Sequence, residues 1–128
     1  ILCRSRDEVF VTGVDAGGKG LIAALYRGNA KDGFSPLVLK EHAASGGGFD
    51  RIFSALGEIF LTHTGGVDRG LYRLRGDAVE KVMSATGYAF GCAGNDQVLW
   101  HGNGIELLCF DGKTWKAVPR VWHDKTKA

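Results

Sequence analysis

The chain has 128 residues, with 20 glycines, 2 prolines and a net charge of +2 from 16 basic and 14 acidic side chains. That length supports a single domain, residues 1–128, with a sizeable core, and the interspersed charges form no basic tract of the kind that neutralises a nucleic-acid backbone. No apolar run approaches the roughly 18 to 20 residues that span a bilayer, and three cysteines without CxxC spacing fit a reducing, cytoplasmic setting better than a disulfide framework.

The first predicted strands cover Leu2–Ser5 and Asp7–Val11. A connection through Val14–Lys19 leads to a third strand containing Ala24 and Tyr26, and the Gly28-Asn29 turn leads to a stretch containing Leu37-Val38. The same order then recurs. Asp7-Glu8-Val9-Phe10-Val11 aligns with Gly57-Glu58-Ile59-Phe60-Leu61 and with Asp96-Gln97-Val98-Leu99-Trp100, a spacing of roughly 40 to 50 residues that suits all-β repeat architectures.

In the second copy the strands are predicted at Ile52–Leu56, Ile59–Thr62, Leu71–Arg75 and Val79–Met83. In the third they fall at Ala89–Ala93, Val98–His101, Ile105–Phe110 and Thr114–Val118. Gly28-Asn29, Gly76-Asp77 and Asp111-Gly112 tolerate positive φ and close the outer hairpins. The repeats therefore run over about 1–44, 49–84 and 88–120. Cys3, Phe53 and Cys92 share one repeat position and read as packing residues. In the third strands one face is consistently apolar, but the other carries Arg73 and Arg75 in the second copy and Leu107 and Cys109 in the third, so the copies should pack differently.

Glycine-rich first strands such as Gly91-Cys92-Ala93-Gly94 allow backbones to approach closely where inner strands converge on an axis. The segment Phe110-Asp111-Gly112-Lys113-Thr114-Trp115 resembles the outer hairpin of Asp-box and Kelch-like propeller blades. The resemblance implies a fold and carries no activity. The expected architecture is all-β: three four-stranded antiparallel repeats forming a half or incomplete β-propeller, or alternatively a three-sheet β-prism. The Gln-x-Asp-x-Asn-x-Val-x-Tyr motif of prism-forming mannose lectins is absent. A half-propeller would be completed by a second copy, as a homodimer, or by a further propeller segment.

Catalytic chemistry has little to stand on. His63, His101, Cys92 and Cys109 lack metal-ligand spacing, no Gly-x-Ser-x-Gly element is present, and Ser45-Gly46-Gly47-Gly48 lacks the Lys-Ser/Thr of a phosphate loop. No cofactor, metal or catalytic residue is therefore expected. Repeat scaffolds concentrate recognition on loops, and the connections between second and third strands differ most between copies. Lys19, His63, Asp68, Arg69, Trp100, His101 and Asn103 are the candidate partner-binding residues. Trp115 reads as structural, beside its turn, and Trp122 follows the last repeat. The function expected is non-catalytic binding of another protein, because the chain's size and architecture resemble those of immunity proteins that occlude toxin active sites. The alternatives are a lectin using Trp100 or Tyr88 as a stacking surface, and a fragment of a larger propeller enzyme.

Overall fold

In a computed structural model of the chain, residues 1–17, 20–37, 48–63, 69–76, 78–84, 91–102 and 106–118 are described, and they form twelve strands and no helix. The first sheet holds β1 (Leu2–Ser5), β2 (Glu8–Gly17), β3 (Gly20–Asn29) and β4 (Gly33–Pro36). The second holds β5 (Phe49–Ala55), β6 (Glu58–His63), β7 (Gly70–Arg75) and β8 (Ala78–Ser84). The third holds β9 (Gly91–Gly94), β10 (Leu99–Gly102), β11 (Leu107–Phe110) and β12 (Trp115–Ala117). Each sheet is an antiparallel meander with its strands in chain order. The fourth strand of the first copy ends at Pro36, before the predicted Leu37-Val38. Leu37 instead donates its N–H to the Leu25 carbonyl at 2.8 Å, and Val38 lies outside the described residues.

Turn chemistry sets the strand ends. Asn29, Asn95 and Asp111 each accept two backbone N–H bonds through Oδ1, from Lys31 and Asp32, from Gln97 and Val98, and from Lys113 and Thr114. These are the Asx bonds by which such side chains stabilise turns. The bonds from Thr114 and Lys113 hold the Asp111 carboxyl below its ordinary range. The β5–β6 turn is built differently: Leu56 and Gly57 both take positive φ, at 54° and 71°. Leu56 is an unusual residue for that conformation, and it is held there by its N–H bond to the Asn95 carbonyl, 2.8 Å, and by packing against the second core.

Two separate cores hold the sheets together. Phe10 and Leu25 of the first sheet meet Phe49, Ile52, Ile59, Leu61, Tyr72 and Leu74 of the second. On the opposite face of that second sheet, Ala55, Phe60 and Leu71 meet Cys92, Leu99 and Phe110 of the third. The middle sheet is thus buried on both faces, and β6 runs almost continuously buried from Ile59 to His63. Among the described residues the three sheets stack through two cores and do not close on one another, an arrangement consistent with an incomplete propeller or prism. The first strands lie side by side, with β5 touching both β1 and β9. Close approach is real at Gly94, where an added Cβ would stand 2.8 Å from the Ala55 Cβ of the neighbouring sheet.

The stack corrects one part of the repeat alignment. Phe10 and Phe60 both face the next sheet along the chain, yet their aligned counterpart Leu99 faces the previous one. The cause is turn length. Ser5 pairs with Glu8 and Ala55 with Glu58 across two-residue turns, whereas Gly94 pairs with Leu99 across Asn95–Val98. A change in strand register by one residue sends every side chain to the other face. Cys3, Phe53 and Cys92 do not share an environment either: an irregularity between Cys3 and Ser5 sets Cys3 opposite Val9, Phe53 stands opposite Phe60, and the longer third turn sets Cys92 opposite His101. Cys92 is buried and Phe53 packs partly buried against the second core, but Cys3 is exposed. It points away from Phe10, opposite Val9, on the face of the first sheet over which no other described sheet lies.

The flipped register makes neighbouring residues of β10 behave oppositely. Leu99→Ala should cost about 2–5 kcal/mol and Trp100→Ala under about 1 kcal/mol in urea unfolding; the reverse order would restore the register of the sequence alignment.

Candidate binding surfaces

The turns of all three sheets gather at one end of the stack. The Leu56–Asn95 bond joins the β5–β6 and β9–β10 turns, and a cleft of about 400 Å³ between the first two sheets is lined by Arg4, Glu8, Gly57, Glu58, Arg75 and Gly76. Antiparallel pairing then directs the strand ends that flank the β2–β3, β6–β7 and β10–β11 connections toward the opposite end. That end is where recognition was expected. Lys19, Asp68 and Asn103 lie outside the described residues, as do Tyr88 and Trp122. Arg69 is half-buried immediately before β7.

His63 and His101 occupy that end from inside. Both have no exposed surface, so neither imidazole meets a macromolecule directly, contrary to the expectation from sequence. His63 sits between Phe49 and Tyr72, with ring centroids 5.6 and 6.2 Å away. His101 packs edge-on to Trp115 at 6.1 Å, and its Nδ1 lies 3.0 Å from the Cys92 Sγ. The cause is again alternation. Second-strand residues of one parity face a neighbouring sheet, and these two histidines continue the rows of Leu61 and Leu99. Trp115 stacks on Phe110 at 4.7 Å, in the structural role its turn suggested.

Cys92 and His101 form a thiol–imidazole contact, which raises the question of nucleophilic chemistry. Burial pushes the Cys92 thiol up to about 12, despite the opposing charge of Arg51, and burial lowers His101 below its ordinary value of 6.5. At neutral pH both groups are uncharged and hydrogen-bonded. A thiolate nucleophile needs the opposite arrangement, an exposed sulfur in an electropositive setting. Among the described residues no three His, Cys, Asp or Glu side chains are grouped to hold a metal.

Trp100 points to the face opposite His101. It shares that outward face of the third sheet with Ala93 and Cys109, its partners in register, and with Leu107 one row along. Leu107 is 45% exposed and Trp100 36%. A shallow hollow of about 390 Å³ lies there, floored by Gly91, Ala93 and Gly102 and bounded by Trp100, Leu107 and Arg51. Arg51 reaches from the second sheet, donating to the Cys92 carbonyl at 2.8 Å. Leu107 and Arg51 were not among the residues expected to bind. The readable signal was Leu107-Leu108-Cys109-Phe110 itself, a strand apolar on both faces, which suits a sheet covered on both sides.

The cleft at the turn end is electrostatically self-contained. Glu8 accepts from Arg4 and Arg27 at 3.4 and 2.5 Å, and Glu58 from Arg73 and Arg75 at 3.3 and 3.1 Å. The pairs made by Arg4, Arg27 and Arg75, whose side chains are about half exposed, contribute little stability. The motif occurs in the first two copies only, because Gln97 and Asp111 stand in the third where the alignment has Glu8 and Glu58, and Arg27 and Arg75. No family of known proteins, no curated protein and no solved structure matches this chain in comparison.

Two measurements follow from the buried pair. Native-state alkylation should label Cys3 rapidly and Cys92 only on unfolding; equal rates would contradict the burial. Stability should also fall at both pH extremes. Below about 6.5 the unfolded chain binds a proton that buried His101 resists. Above about 9 the unfolded chain releases a thiol proton that Cys92 retains until about 12. Cys92→Ala should flatten the alkaline limb of a pH–stability curve, and an unchanged limb would refute that assignment.

Proposed function

We propose that this chain is a non-catalytic binding protein that recognises another protein through the end of the stack carrying the β2–β3, β6–β7 and β10–β11 connections. The observation that supports this reading is the convergence of three sequence-dissimilar connections on one end of a scaffold whose cores lie beneath them. Rigid sheets hold such loops at low entropic cost on binding. His63 and His101 act beneath this surface as packing that fixes the strand ends, while Lys19, Asp68, Arg69 and Asn103 supply the polar contacts. The inert Cys92–His101 pair fits a protein that occludes rather than reacts.

Within that reading, the narrower proposal is a toxin-neutralising partner of the immunity type, working in the cytoplasm. The net charge of +2 implies recognition by shape and hydrogen bonding more than by long-range steering. Affinity capture with the wild-type chain should retain one protein partner, and Asp68→Ala with Arg69→Ala should weaken that retention about tenfold or more. Binding on a glycan array together with no retained protein would overturn the proposal in favour of sugar recognition.

A further inference from the structure

The two ends of the stack are unlike and complementary. The first sheet turns Phe10 and Leu25 toward the second sheet, and its other face carries Cys3, Val9 and Phe34 in one row and Val11, Tyr26 and Pro36 in the next. The third sheet turns Leu99 and Phe110 toward the second, and its other face carries Ala93, Trp100 and Cys109, with Gly91, Gly102 and Leu107 alongside. Among the described residues no strand packs on either outer face. Three of the five exposed large hydrophobic residues sit on them: Phe34 at 48%, Leu107 at 45% and Trp100 at 36%.

We propose that these faces bind each other between two copies of the chain, so that the outer face of the third sheet in each copy receives the outer face of the first sheet in the other. The contact continues a pattern the chain already uses twice. In both internal interfaces the leading face of one sheet packs on the trailing face of the next, first on second and second on third. The open leading face belongs to the third sheet and the open trailing face to the first. Joining them across two copies gives six sheets, within the roughly four to eight that close a ring, and cyclic closure leaves no unpaired face.

Shape supports the same pairing. Where the second and third sheets meet, small residues allow close approach, with Gly94 against Ala55 and Cys92 in the same core as Phe60 and Leu71. The open face of the third sheet also carries small residues, Gly91, Ala93 and Gly102. A Cβ at Gly91 would meet nothing within 4 Å, and the surrounding hollow of about 390 Å³ offers a seat between Trp100 and Leu107 for an aromatic ring such as Phe34 or Tyr26. With a net charge of only +2 per chain, repulsion between copies is slight. The inference is independent of the partner reading, since the loop-bearing end is a different surface.

Light scattering after size exclusion tests it on the purified chain alone. Across roughly 1 to 100 μM the mass should approach twice the 13.7 kDa of a single chain. Leu107→Glu and Phe34→Glu, on opposite end faces, should each weaken self-association about tenfold or more by burying a charge, with the circular dichroism spectrum of the folded chain unchanged. Mixing the two variants should partly restore the dimer, because one of its two contacts then joins two intact faces. A wild-type chain that stays single at about 100 μM, a dimer indifferent to either substitution, or a dimer broken by only one of them would overturn the proposal.

Discussion

The rest of the structure depends on the two-sided burial of the middle sheet. β6 contributes Ile59 and Leu61 to one core and Phe60 to the other, so a single strand ties the first sheet to the third. Neither outer sheet reaches such burial, since each has one face packed and one face open among the described residues. At roughly 25 cal/mol per Å² of apolar surface removed from water, a sheet covered on both faces gains where a half-covered one gains once. The stack is therefore held from its centre, and its unsatisfied hydrophobic surface collects at its two ends.

That distribution accounts for where polar and reactive groups can stand. Glu8 and Glu58, with the arginines around them, occupy the hairpin end where side chains reach water. The histidines continue apolar rows and lie inside. Cys92 and His101 form a buried hydrogen-bonded pair whose shared environment favours the neutral form of each, and a site so arranged stabilises geometry.

Much of the architecture was legible because strand periodicity and turn chemistry act locally. The pentapeptide repeat located β2, β6 and the neighbourhood of β10, and the paired apolar positions Tyr72/Leu74 and Leu108/Phe110 marked equivalent rows correctly. Alignment failed at Asn95–Val98, where letters match the two-residue turns but the hairpin needs four residues. Leu99 and Trp100 consequently exchanged faces, and Cys3 looked like a core residue by analogy with Cys92. The candidate site was less legible for a physical reason. Histidine near a strand end reads as a surface ligand until the adjacent sheet is in place, and nothing local told that His63 and His101 would each be capped by aromatic rings.

Adjacent positions on β6 give the most direct test of two-sided burial. Phe60 and Leu61 are both fully buried, in opposite cores. Equilibrium urea unfolding of Phe60→Ala and Leu61→Ala should show both variants destabilised by about 2–5 kcal/mol. If only one of the two loses stability and the other unfolds like wild type, the middle sheet has a single packed face and the stacked arrangement is wrong.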